Sequence, residues 1–183
     1  MKNHEKLNIE ILQATVDQKP ILRNLMQYYK YDTSEYTLAD PNPFGQFDYN
    51  YLDHYWTEHG MKCEGRTAYL VKVNGQLAGF ALVNNFDLGL KCRDDARNIA
   101  EFFIMRKWRR LGVGKAAAFT LFNCFQGQWE VKQERENQIA QRFWEAAIRE
   151  YTNGNYVKLD SHLPEWDGPV IRFHSRDAVA RTT

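Results

Sequence analysis

The sequence predicts an α/β (α+β) fold, a mixed and mostly antiparallel sheet with helices on both faces. Three observations lead there. Two strand-like runs in "TAYLVKVNGQLAGFALVNN" (Thr67–Asn85) flank Asn74-Gly75, the pair that best fits a two-residue type I′ hairpin turn. The run "NIAEFFIM" (Asn98–Met105) is apolar apart from Glu101 and its first residue, as in a central strand covered on both sides. It is followed by Gly112–Phe125, a helix with apolar residues almost all round, which belongs in the interior.

The remaining elements fall into place around these. "LNIEILQA" (Leu7–Ala14) alternates apolar and polar residues and reads as a first strand. A helix is expected from Asp17, an N-cap candidate, with Pro20 in its first turn and Ile21, Leu22, Leu25, Met26 and Tyr29 at helical spacing. Thr33 to Phe47, rich in Asp, Pro, Asn and Gly, reads as a loop, and Asp48–Trp56 restores a short helical pattern. A charged stretch, Asp87–Arg97, separates the hairpin from the central strand. "QWEVKQ" (Gln128–Gln133) is the next strand. Asn137 to about Thr152 is an amphipathic helix closed by "NGN" (Asn153–Asn155), and short strands near Tyr156–Leu159 and Pro169–Phe173 end the chain. The order is β-α-α-β-β-β-α-β-α-β-β, a mixed sheet. Without internal repeats or low-complexity segments, residues 1–183 are expected to form a single domain.

Composition narrows the function. With 24 Lys plus Arg against 23 Asp plus Glu, no global charge attracts nucleic acid or an anionic membrane. Cys63, Cys92 and Cys124 are widely spaced and odd in number, so neither a disulfide framework nor a cysteine metal site is expected. His54 and His59 have no metal-like partners in the sequence. The opening "MKNHEKLNIEIL" lacks the apolar core of a signal peptide, and no apolar run approaches the ~20 residues of a membrane span. A soluble cytoplasmic protein is expected.

The segment "RKWRRLGVGKAAAF" (Arg106–Phe119) places Gly112 and Gly114 before a helix, a junction where missing side chains expose backbone N–H groups to an anion. A P-loop needs four residues between its glycines and Ser or Thr after the Lys; here one residue intervenes and Ala116 follows Lys115. Gly112-Val113-Gly114-Lys115-Ala116-Ala117 satisfies a dinucleotide fingerprint, with Glu130 near the place of a ribose-binding acid. Against it, the motif follows an antiparallel hairpin, "RKWRR" separates it from the strand, and too few strand–helix alternations follow. The pattern Arg109-x-x-Gly112-x-Gly114 resembles the acetyl-coenzyme A signature Q/R-x-x-G-x-G/A of the GNAT N-acetyltransferase superfamily. "EFFIMRKWRRLGVG" resembles that family's fourth strand and pyrophosphate loop, and "NQIAQRFW" its N-x-x-A-x-x-F/L-Y segment. The element order agrees from about Leu7 to Phe173. Arg106, Lys107, Arg109, Arg110 and Lys115 supply positive charge, with no acid between Phe102 and Trp129.

The resemblance implies an acetyl-CoA-dependent N-acetyltransferase, direct attack in a ternary complex, and an amine acceptor, with no metal. It assigns pairing with pantetheine to the backbone of Phe103, Ile104 and Met105, and the anion cradle to Arg109, Arg110, Leu111, Gly112, Val113, Gly114 and Lys115. Asn137, Phe143 and Trp144 would lie along the cofactor arm; for Asn137, helix capping is an equal alternative. Many members carry Tyr where Trp144 stands, and that Tyr protonates the leaving thiolate, which an indole N–H cannot do.

Glu101, a lone carboxylate in an apolar strand, must find a partner, face a wet cleft or rise in pKa. It is the first candidate for general base, an ion pair with a nearby arginine being the alternative. Glu130 is the second candidate. Ten aromatics between Tyr28 and Trp56, interleaved with acids, would suit a cationic amine, although packing explains many of them. Two rival readings remain, a non-catalytic acyl-CoA sensor and a nicotinamide oxidoreductase; a homodimer is also open.

Overall fold

The computed structural model of the protein describes residues 7–175; the first six residues of the segment read for a signal peptide lie outside them. The elements are β1 (Ile9–Gln13), α1 (Lys19–Thr37), α2 (Glu58–Lys62), β2 (Thr67–Val73), β3 (Gln76–Asn84), β4 (Ala96–Ile104), α3 (Val113–Cys124), β5 (Gly127–Lys132), α4 (Gln138–Thr152), β6 (Tyr156–Leu163) and β7 (Trp166–Ser175). Seven strands form one sheet in the order β1-β2-β3-β4-β5-β7-β6. Every neighbouring pair is antiparallel except β4–β5. Asn74 and Gly75 take φ of 51° and 76°, the left-handed pair that a type I′ hairpin requires.

Side-chain alternation sorts the core onto the two faces. On one, Leu22, Leu25 and Met26 of α1 with Leu52 and Tyr55 pack on Leu70, Phe80, Leu82 and Phe103. On the other, Phe122 of α3 and Trp144, Ile148 and Tyr151 of α4 pack on Ile99, Trp129, Val131 and Phe173. Phe122 is at the centre of this second core, its ring 5.2 Å from Trp129, 5.1 Å from Tyr151 and 4.8 Å from Phe173.

Three local features differ from expectation. The first helix runs on to Thr37, through residues read as loop. The Thr33, Ser34 and Thr37 hydroxyls donate to carbonyls of their own helix and so do not compete with it. The helix stops at Leu38, left-handed at φ 54°. At its start, a 3₁₀ turn over Val16–Gln18 precedes α1, so Asp17 is inside that turn instead of capping the helix. The short α2 was not anticipated; Thr57 Oγ1 caps it by accepting from Gly60 N–H at 3.0 Å.

Two irregularities position the site. In the β3–β4 ladder, Leu82 faces Glu101 but Val83 faces Ile99, leaving Ala100 unmatched. This bulge reverses the alternation, so Ile99 joins the α3–α4 core while Phe103 joins the α1 core, and Glu101 shares the face of Phe103. The β4–β5 ladder is also short, running only from Ala96–Gln128 to Ile99–Val131. Beyond it the strands part, and β4 continues to Ile104 with one edge unpaired.

Truncating the central ring tests this account of the core. Phe122→Ala should cost about 3–5 kcal/mol in chemical denaturation. A loss below about 1 kcal/mol would show that the aromatic cluster does not organise the α3–α4 face.

Candidate active site

The unpaired edge of β4 can be read group by group. Met105 N–H donates to Ala78 O at 2.8 Å, and Phe80 is opposite Phe103. In an antiparallel ladder this alternation turns the peptide groups of Phe103 and Met105 toward β3, and those of Phe102 and Ile104 toward the open edge. The Ile104 carbonyl accepts from Arg109 Nε at 2.7 Å. Of the three residues expected to present backbone to a ligand, only Ile104 turns its peptide groups to the open edge; those of the other two face β3. Phe102 joins Ile104 on that edge, a placement only the strand register reveals.

The glycine loop leads from this edge into α3. Arg110 and Gly112 are left-handed, at φ 62° and 81°, and Gly112 N-caps the helix without a side-chain bond. The first helical bond joins Ala116 N–H to Gly112 O at 3.0 Å. The N–H groups of Leu111, Gly112, Val113, Gly114 and Lys115 therefore have no acceptor among the described residues. Such a row of free donors at a helix N-terminus is an anion cradle. Gly114 is where the loop meets α4, since a Cβ there would come within 3.2 Å of the Phe143 ring.

Three of the loop's five cations are held by acids that the sequence places far away. Asp32 of α1 accepts from Arg106 Nε and Nη2 at 3.0 and 2.7 Å, and from Arg109 Nη2. Burial would raise the Asp32 pKa, but hydrogen bonds from Arg109 and Arg106 outweigh it and hold the carboxyl below its ordinary value. Lys115 pairs with Glu150 of α4 at 3.0 Å. The acids missing from the loop arrive from two helices.

Where β4 and β5 part, a cavity of about 580 Å³ opens on the α1 side. Glu101 lines it with Tyr29, Tyr49, Tyr55, Asn98 and Glu134. Burial pushes the Glu101 carboxyl above the ordinary range, against hydrogen bonds donated by the Tyr29 and Tyr49 hydroxyls and the nearby charge of Lys30. Glu134 is likewise raised, by burial and by Glu136. Glu101 has no ion-pair partner among the described residues, so the arginine pairing considered for it does not form.

Glu130 has a different place. It is 1% exposed, is absent from the cavity wall, and its Oε1 accepts from Arg172 Nε and Nη2 at 2.8 and 2.6 Å. Held in a cross-strand ion pair, it is not available as a base. Asn137 Oδ1 caps α4, accepting from Ala140 N–H at 2.9 Å, while the residue also lines the cavity. Trp144 lines the cavity too, its ring 4.9 Å from Phe102 and 5.0 Å from Phe143. No sequence signal marks Asp32 as a partner of the loop, nor Tyr29 and Tyr49 as neighbours of Glu101.

Among the described residues, no helix is long and apolar enough to cross a membrane, and no group of three His, Cys, Asp or Glu is placed to hold a metal ion. The model of the acetyltransferase (GNAT) family matches residues 25–149. No curated protein matches the sequence. Among solved structures, the GNAT domain of S. lividans PAT is similar at 12% identity and TM-score 0.64, covering 91% of this chain and 90% of its own. The aminoglycoside acetyltransferase AAC(6')-Ib in complex with coenzyme A is 14% identical at TM-score 0.62, over 91% of this chain and 95% of that one. The PaiA N-acetyltransferase from Thermoplasma acidophilum, also with coenzyme A, is 10% identical at TM-score 0.58, over 91% and 99%. The single parallel strand pair leaves no series of βαβ units for a dinucleotide fold.

The raised Glu101 carboxyl has a consequence for stability. Protonated Glu101 contributes stability that is full below the unfolded pKa of about 4.3 and is lost as pH rises through the higher folded value. Glu101→Gln removes that loss. The variant should melt with the wild type near pH 4 and above it at pH 8; equal melting at both would place Glu101 in open solvent.

Proposed function

The chain belongs to the acetyltransferase (GNAT) family, and we propose that it transfers an acetyl group from acetyl-CoA to an amine bound in the cavity beside Glu101. One observation carries this reading: the free β4 edge, the cradle at α3 and the lone carboxylate converge on the gap between β4 and β5. The coenzyme A complexes of the similar AAC(6')-Ib and PaiA structures support the same donor.

In this reading the cradle from Leu111 to Lys115 holds the pyrophosphate, with Arg109 and Arg110 beside it. The Phe102 and Ile104 peptide groups pair with pantetheine, and a β4 N–H polarises the thioester carbonyl. Phe143, Trp144 and Asn137 line the other wall. An ammonium of pKa near 10 costs about 4 kcal/mol to deprotonate at neutral pH. Glu101, raised above an ordinary carboxyl, is better matched to take that proton, directly or through water. The neutral amine then forms the C–N bond as the C–S bond breaks. Trp144 donates no proton to the departing thiolate, whose moderate basicity (thiol pKa about 8.5) lets it leave unassisted. Trp144 also favours a second reading, an acyl-CoA sensor without turnover.

Release of free thiol with an amine panel separates the two, since a sensor releases none. Glu101→Gln should retain acetyl-CoA affinity while turnover falls roughly 10²-fold or more; unchanged turnover rules Glu101 out. Gly112→Val forces a β-branched residue into φ 81° and should weaken coenzyme A binding by about tenfold or more. Near-normal affinity, measured by calorimetry on folded variant, would move the cradle elsewhere.

A further inference from the structure

We propose that the acceptor is a zwitterion, an amine that also bears a carboxylate or phosphate, with the amine against Glu101 and the anionic group against Lys132 and Arg66. This rests on the acetyl-transfer reading and specifies what the cavity selects.

The cavity lining carries both signs of charge. Glu101 and Glu134 stand on the wall reached by Tyr29 and Lys30, where two carboxylates face one ammonium. Lys132 lies across the opening. Ile99–Val131 is the last rung between β4 and β5, and Lys132 is the next residue on β5, as Glu101 is the second on β4. Trp129 and Val131 point into the α3–α4 core, so alternation turns Lys132 to the opposite face, where it lines the cavity with Glu101.

Lys132 has no ion-pair partner among the described residues. Its ammonium stands 5.8 Å from the Trp166 ring; of the two carboxylates whose charge reaches it, Glu130 binds Arg172 through Oε1 and Asp87 accepts from the Gly89 and Lys91 N–H groups. Burial lowers its pKa, the cost an adjacent anion would offset. Arg66, only 9% exposed, gives Nε to Glu64 and packs its guanidinium among the rings of Tyr51, Tyr55 and Phe86, at 5.9, 5.3 and 5.3 Å. Glu64 takes the Arg66 Nε donor and Tyr55 also engages the fork, while Arg66 still lines the cavity. Glu165 stands exposed at the rim. A plain monoamine leaves Lys132 uncompensated, and a diamine brings a second cation against it; an anionic group answers both.

Matched pairs of acceptors test this by thiol release: 4-aminobutyrate against butylamine, alanine against its methyl amide, and O-phosphoethanolamine against ethanolamine. At least one charged member should exceed its neutral partner by about tenfold in kcat/KM, as expected for one charge-assisted contact. Which pair responds separates carboxylate from phosphate. Lys132→Met should collapse that ratio, with Lys132→Gln as the second variant should Met disturb folding. Neutral members performing equally across all pairs, while thiol is released, overturn the zwitterion and leave acetyl transfer standing. If no acceptor releases thiol, acetyl transfer fails instead, and thermal shift with coenzyme A present decides the zwitterion. Stabilisation by charged members that Lys132→Met abolishes upholds it; equal shifts overturn it.

Discussion

The unmatched Ala100 in β4 is the constraint on which the rest depends. Without it, strict alternation would put Glu101 on the same face as Ile99, buried against Phe122 and Trp129. The extra residue resets the count and delivers Glu101 to the α1 side, among tyrosines. The bulge comes where β4 leaves β5, so the strand changes its side-chain phase and loses one hydrogen-bonding neighbour at the same place. A carboxylate and a free backbone edge thereby appear together in an otherwise regular sheet.

Charge is distributed by the same economy of neighbours. Three of the five cations around the glycine loop, Arg106, Arg109 and Lys115, have a carboxylate supplied from a helix, Asp32 from α1 and Glu150 from α4. Such pairs are partly exposed and individually weak. Their effect is to fix where the guanidinium groups sit, with Arg109 also tied to the Ile104 carbonyl. The cavity follows the opposite rule. Glu101 and Lys132 line it without an ion-pair partner among the described residues, and burial biases both toward their neutral forms.

Much of this could be read in the sequence because the informative residues act locally. Asn74-Gly75 dictates its own turn, Gly112 its own left-handed cap, and Asn137 its own helix start, so element order and the glycine turn ahead of α3 were legible without tertiary information. Glu101 stood out because an isolated charge in an apolar strand conflicts with its surroundings. What stayed hidden depends on register or on distant contact. The bulge at Ala100 has no sequence signature; the direction of the Phe102 and Ile104 peptide groups follows from pairing with β3; Asp32 meets the arginines across 74 and 77 residues of chain. Glu130 was misjudged for the same reason, since its partner Arg172 is 42 residues away on β7.

The four-rung seam between β4 and β5 also bears on how the molecule assembles. β2, β3 and β4 follow one another and pair in turn, and so do β6 and β7; both pieces close short loops at little entropic cost. Joining them needs the crossover through α3 with its short parallel ladder, and the longer return from β5 to β7. The cavity straddles that junction. Its lining comes from both sides of the seam, so the cavity exists only where the two pieces are joined.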